Sequence, residues 1–219
     1  MSLDFWFPTV IYREDLNPPD DVDSEIKKYF TNLWEKLSHI KNKPASVTGD
    51  VINEYKLHEN PTFSWLNNEI GYHCQQYIKS LHGDVSKYKI SASKSWPVIC
   101  NNGGTIKRHN HRNSCLSAVY YVQVPDDTSG YIKFLASHSE MDFLPCSYTR
   151  CEFINSTEAI YKPVEKRLII FPSSLFHEVL PYMGKDGRFS ISYDIMVTVR
   201  DDCNVEHCIT DPSTWQDLL

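Results

Sequence analysis

The sequence predicts a mainly β protein with flanking α: a double-stranded β-helix, or jelly roll, with N-terminal helices packed on one sheet. Three observations predict it. From Lys87 onward, eight short apolar or alternating runs are separated by turn signals, the pattern of a sandwich or barrel. Before Lys87, two segments repeat apolar residues at spacings of three and four. No linker, internal repeat or low-complexity tract divides the regions, so 219 residues, 41% of them apolar, read as one domain. Within it, residues 1–86 hold an N-terminal strand and supporting helices, 87–200 the jelly-roll core and 201–219 a C-terminal tail.

In chain order, a first strand is expected over 5–12. Pro18-Pro19 breaks it, and Asp20 and Asp21 favour a helix start because their charge opposes the positive end of the helix dipole. Ile26, Tyr29, Phe30, Leu33, Trp34, Leu37 and Ile40 then form one wide apolar stripe, with Lys27, Lys28, Glu35 and Lys36 off it. A second helix, from about Thr62 to Leu81, is expected to bury Phe63, Leu66, Ile70, Cys74, Tyr77 and Leu81. Gly83 suits the left-handed position after its end. His73 and His82 read as polar or half-exposed helix residues. Strands are expected over 88–100, 105–110, 115–125, 131–137, 158–163, 167–172, 176–182 and 188–199. Turn signals at Asn101-Asn102-Gly103-Gly104, Pro125-Asp126-Asp127, Ser129-Gly130 and Gly184-Lys185-Asp186-Gly187 separate several of them.

Composition narrows the function classes. A formal charge of −6, with acids and bases mixed along the chain, argues against nucleic acid as a general partner. Seven cysteines without a CxxC pair suggest reduced thiols rather than a disulfide framework or structural zinc. The N-terminus has no secretory pattern, and no apolar run approaches the roughly 20 residues of a membrane span. The expectation is a cytoplasmic protein.

Three features fall in order along the β region: His109-Asn110-His111, His177 within FHEVLPY, and Arg188-Phe189-Ser190. On a strand, residues i and i+2 share a face, so His109 and His111 can bind one ion together, and a distant strand can add His177. The same rule aims Arg188 and Ser190 at one point, where a guanidinium beside a hydroxyl suits a carboxylate. Singly, each has a plainer reading: a surface histidine pair near a turn, a core histidine, a surface arginine.

With these pieces in order, the sequence resembles the Fe(II)- and 2-oxoglutarate-dependent oxygenases, within them the prolyl-hydroxylase-like group. The matching stretches are HNH at 109–111, where that superfamily has HxD or HxE, CLSAVYYVQVP at 115–125 and SGYIKF at 129–134. RLIIFPSSLFHEVLPY at 167–182 and RFSIS at 188–192 complete them. DFWFPTVIY near the start narrows the likeness to a family in which the HxH form is usual, and the resemblance runs from about Phe5 to Val199.

The resemblance implies Fe(II) held by His109, His111 and His177, with 2-oxoglutarate chelating the iron. Arg188 would pair with its 5-carboxylate, supported by Ser190. Tyr121 matches a tyrosine that reaches the same carboxylate, with core packing as its alternative; by parity it shares a face with Ser117 and Val119, while Tyr120 points the other way. Oxygen would be the oxidant, ascorbate is a candidate reductant, and an unidentified substrate would be hydroxylated with release of succinate and carbon dioxide. That substrate is expected to be a peptide side chain or a small molecule, read by loops such as 138–157. No membrane partner is expected, and a homodimer is left open.

The departure is His111, an imidazole where the superfamily has a carboxylate. It leaves an iron site one unit more positive, which favours an anionic cosubstrate and disfavours oxidation of the metal. Either the centre uses three histidines, the favoured resolution, or Asp126, Asp127, Glu140 or Asp142 supplies a carboxylate. Glu178 should face away by alternation, and His138 reads as a loop residue. Two other functions compete. A cupin-like three-histidine metal dioxygenase would not use 2-oxoglutarate, and would leave Arg188 and Ser190 without a job. A metal-free jelly-roll binding or structural module would not bring the three histidines together.

Overall fold

A computed structural model describes residues 8–38, 44–136, 147, 149, 150, 152, 155–200, 203 and 208–218. In chain order its main elements are β1 (Tyr12–Asp15), α1 (Asp20–Ser38), β2 (Ser46–Val47), α2 (Gly49–Ile52), α3 (Ser64–Ser80), β3 (Tyr88–Cys100) and β4 (Gly104–His109). There follow β5 (Leu116–Gln123), β6 (Ile132–Leu135), β7 (Glu158–Tyr161), β8 (Arg167–Pro172), β9 (Phe176–Tyr182) and β10 (Arg188–Val199). Two antiparallel sheets result, ordered β1-β8-β5-β10-β3-β2 and β4-β9-β6-β7, with the helices on the outer face of the larger one: the expected jelly roll.

Side-chain alternation explains the layering. On β5, Ala118, Tyr120 and Val122 pack with Ile26 and Phe30 of α1 and Leu66, Ile70 and Cys74 of α3. Val119 and Tyr121, from the opposite parity, join Ile132, Phe134 and Phe171 between the sheets. β10 is divided more sharply. Phe189, Ile191, Tyr193 and Ile195 enter the helix-side core, whereas Arg188, Ser190 and Ser192 line an inter-sheet cavity. A strand sandwiched between two layers can thus be apolar on one face and chemically equipped on the other.

α1 carries Asp20, Asp21 and Asp23 in its first turn and Lys36 in its last, both favourable to its dipole. Its stripe is inward as expected, except that Ile40 lies outside the described residues. Four expectations need correction. The first strand is Tyr12–Asp15 rather than 5–12, of which 5–7 are not described. It is an edge strand fixed by its ladder to β8 and by Arg167 donating to both Asp15 oxygens at 2.6 and 2.8 Å, so its mostly exposed side chains carry no apolar alternation. Leu81 is 49% exposed because α3 ends one residue before it. The left-handed residue there is His82 (φ 62°), with Gly83 N donating to Ile78 O at 2.9 Å; Gly83 is needed for closeness, since a Cβ would stand 2.5 Å from Ile78 Cγ2. His73 is buried: Tyr12 Oη and His73 Nδ1 are 2.8 Å apart, which satisfies the ring within the helix–sheet contact.

Among the described residues, no helix is long and apolar enough to cross a membrane.

Candidate active site

His109 and His177 stand directly opposite each other in the β4–β9 ladder. That ladder slips between Ile106 and His109: three steps on β4 span two on β9, from Val179 to His177. A bulge of this kind lets Ile106 and His109 line the same cavity despite their odd separation. His111 arrives differently from the expected strand alternation. β4 ends at His109, and the loop beyond it is pinned by His111 N donating to Ser173 O at 2.9 Å.

The three rings converge, so that their candidate ligand nitrogens lie within 4.8 Å of one another. Each Nδ1 faces an acceptor: Lys107 O at 2.7 Å from His109, Asp194 Oδ1 at 2.5 Å from His111, and Leu175 O at 3.0 Å from His177. Carbonyl and carboxylate oxygens only accept, so each ring donates through Nδ1–H and turns an unprotonated Nε2 inward. The Nε2 atoms of His111 and His177 are 3.3 Å apart. Two lone pairs that close repel unless a cation lies against both. Burial pushes His177 down to about 3 and also lowers His109, which keeps both rings neutral, the form that binds metals. Phe171 and Phe134 lie edgewise or tilted on His177 at 4.8 and 5.9 Å, and Trp96 stacks on His111 at 5.6 Å.

Arg188 lies in the same cavity, of about 90 Å³, and is 1% exposed. Nη1 donates to Gly130 O, Nη2 lies 3.1 Å from Cys100 Sγ, and Nε has no hydrogen-bond partner among the described residues. The Tyr121 and Tyr182 rings flank the guanidinium at 5.8 Å. No carboxylate among the described residues pairs with it, and a buried charge in that condition is costly until an anion arrives. Ser190 faces the same space, directly opposite Tyr121 in the β5–β10 ladder. Burial raises the Tyr121 phenol, so it is a neutral donor.

Of the alternative carboxylates, Asp126 accepts from Thr128 and Ser129, and Asp127 pairs with Lys162 at 2.6 Å; neither belongs to the histidine group. Glu140, Asp142 and His138 lie outside the described residues, as does most of the first half of the 138–157 loop. Glu178 points away, to Lys133 at 2.7 Å, as alternation required. Sequence reasoning missed two residues, Asp194 and Trp96. Asp194 was available by parity, since Arg188, Ser190, Ser192 and Asp194 are successive members of one face; Trp96 gave no local signal.

Residues 94–194 match a family model described as "Putative 2OG-Fe(II) oxygenase". No curated protein sequence matches. Among solved structures, the chain is similar to AviO1 from Streptomyces viridochromogenes Tue57, with TM-score 0.58 and 9% identity over 90% of this chain and 93% of that one. It is similar to a Pseudomonas putida prolyl-4-hydroxylase at TM-score 0.54 and 15% identity, over 86% and 93% of the two chains. It is also similar to HygX from Streptomyces hygroscopicus, solved with nickel and 2-oxoglutarate bound, at TM-score 0.54 and 8% identity over 86% and 83%. At these identities the likeness shows the fold alone, a jelly roll with flanking helices.

Proposed function

Taking the 2-oxoglutarate/Fe(II) oxygenase family matched over residues 94–194 as the premise, we propose that the chain is a non-haem Fe(II)- and 2-oxoglutarate-dependent oxygenase that hydroxylates a peptide side chain or small molecule. One observation carries this reading: a single cavity holds three converging unprotonated imidazole nitrogens and a buried guanidinium with no carboxylate partner among the described residues.

The residues fit both groups. Nitrogens about 2.1 Å from one ion and at right angles stand about 3 Å apart, close to the 3.3 Å between His111 and His177. His109, His111 and His177 would hold Fe(II) through Nε2. Arg188 would receive the 5-carboxylate of 2-oxoglutarate, with Ser190 and Tyr121 offering hydroxyls to it. When bound, the metal and cosubstrate supply the oxidative chemistry, in which oxygen is consumed and 2-oxoglutarate becomes succinate and carbon dioxide. The protein's part is orientation and exclusion of water. The Nδ1 acceptors fix each ring, the guanidinium fixes the far end of the cosubstrate, and Val119, Phe134 and Phe171 wall off solvent. A cupin-like dioxygenase without 2-oxoglutarate gives the unpaired Arg188 no role, and a metal-free module gives the histidine convergence none.

The same reading treats the chain as one domain, with 1–86 bracing the 87–200 sandwich and 201–219 as a tail. It places the protein in the cytoplasm, in keeping with free thiols at Cys74, Cys100, Cys115 and Cys208.

The test is succinate formation by purified protein given Fe(II), 2-oxoglutarate, oxygen and ascorbate, alongside calorimetric binding of 2-oxoglutarate to Mn(II)-loaded protein. Binding is expected, and Arg188→Ala should weaken it at least about 30-fold, the equivalent of roughly 2 kcal/mol for removing one partner of a buried charge pair. Absence of 2-oxoglutarate binding by the metal-loaded wild type overturns the reading.

A further inference from the structure

An imidazole at position 111 leaves a metal centre one negative charge short of two histidines and a carboxylate. The charge is present nearby. Asp194 Oδ1 lies 2.5 Å from His111 Nδ1, and the two side chains are only 11% and 10% exposed. Asp194 has no lysine or arginine partner among the described residues; its ion-pair contact is with His111. A buried carboxylate is costly without positive charge, and this one faces a cation only through the imidazole ring.

The surroundings fix its direction. Ser114 Oγ donates to Ser173 Oγ at 2.9 Å, and Ser173 and Ser117 Oγ are also 2.9 Å apart. Ser117 Oγ donates to Asp194 Oδ1 at 3.5 Å. Each hydroxyl passes its proton towards the carboxylate, which accepts from Ser117 on one side and from His111 Nδ1–H on the other. Ser173 and Ser117 are essentially inaccessible, and Ser173 O also holds the His111 backbone. Trp96 stacks on the His111 ring with an interplanar angle of 23°, which limits its rotation.

We propose that Asp194 is a positioning residue that holds His111 with Nε2 inward and supplies, through the ring, the negative charge that a carboxylate ligand would otherwise place on the metal. This rests on the reading of His109, His111 and His177 as metal ligands. A carboxylate behind a ligating imidazole makes the ring a stronger donor, and removing such partners weakens metal affinity by about 10- to 100-fold.

The experiment is calorimetric binding of Mn(II) to wild type, Asp194→Asn, His111→Asp and the double variant. Asp194→Asn should lose about 10- to 100-fold in affinity in the wild-type background. In the His111→Asp background, where a carboxylate meets the metal directly, the same change should cost less than about 3-fold, because the coupling through the ring is gone. Equal losses in both backgrounds mean a merely structural Asp194 and overturn the proposal, as does unchanged affinity in Asp194→Asn. Wild type that binds no Mn(II) or Fe(II) instead removes the three-histidine reading itself. Should Asp194→Asn not fold, nitrogen-15 NMR of histidine-labelled wild type loaded with Zn(II) decides: His111 protonated on Nδ1 with a strongly downfield proton supports the pairing, and a proton on Nε2 overturns it.

Discussion

At Gly130 the backbone takes φ +67°, and a Cβ placed there would stand 2.7 Å from Arg188 Nη1 and 3.1 Å from the Tyr182 ring. The turn therefore demands glycine twice, once for its conformation and once for the guanidinium against it. Gly130→Ala should cost about 1–2 kcal/mol in stability from the left-handed backbone alone. By displacing Arg188 it should also weaken 2-oxoglutarate binding while leaving Mn(II) affinity near wild type, a split that calorimetry reads directly. At this scale His109, His177, Arg188 and Ser190 were legible because spacing and residue chemistry both pointed to them. His111 was named for a strand it does not occupy. The backbone bond that holds it comes from Ser173, 62 residues further on, and no local pattern encodes such a contact.

Elements were legible where burial alternates. The limits of β3, β8, β9 and β10 fall where the sequence placed them, since each has a face against apolar neighbours that enforces period two. β1 and β2 were not, because edge pairing is a backbone matter that leaves side chains little to say. The helix layer can be tested apart from the site. Phe30 of α1 stacks on Phe189 of β10, centroids 5.5 Å apart, on the face opposite Arg188 and Ser190. Phe30→Ala should destabilise by about 3–5 kcal/mol through lost burial and a cavity. A melting temperature lower by roughly 10 °C is expected, with 2-oxoglutarate affinity of the folded protein unchanged. A comparable loss of affinity would mean that the helices shape the cavity as well as brace it.

For the whole molecule, the buried histidines set a dependence on pH. His177 is held down to about 3 when folded, whereas an unfolded chain takes up its proton near the ordinary value of about 6.5. Between those values the unfolded state binds more protons, so stability is full above about pH 6.5 and falls as pH drops, by about 1.4 kcal/mol per unit for this ring. Urea unfolding of metal-free protein at pH 7.5, 6 and 5 should show that slope, and His177→Gln should flatten it; an unchanged slope would mean the ring is not held neutral. The division of β10 has a further consequence, for inheritance. Its letters can vary within two chemical alphabets, one greasy and one polar, but its count cannot. Deleting Tyr193, with Asp194 held in place, would turn Arg188, Ser190 and Ser192 towards the helices and send Phe189 and Ile191 into the cavity of the three histidines. A lineage carrying this strand is free to edit its spelling and barred from changing its metre.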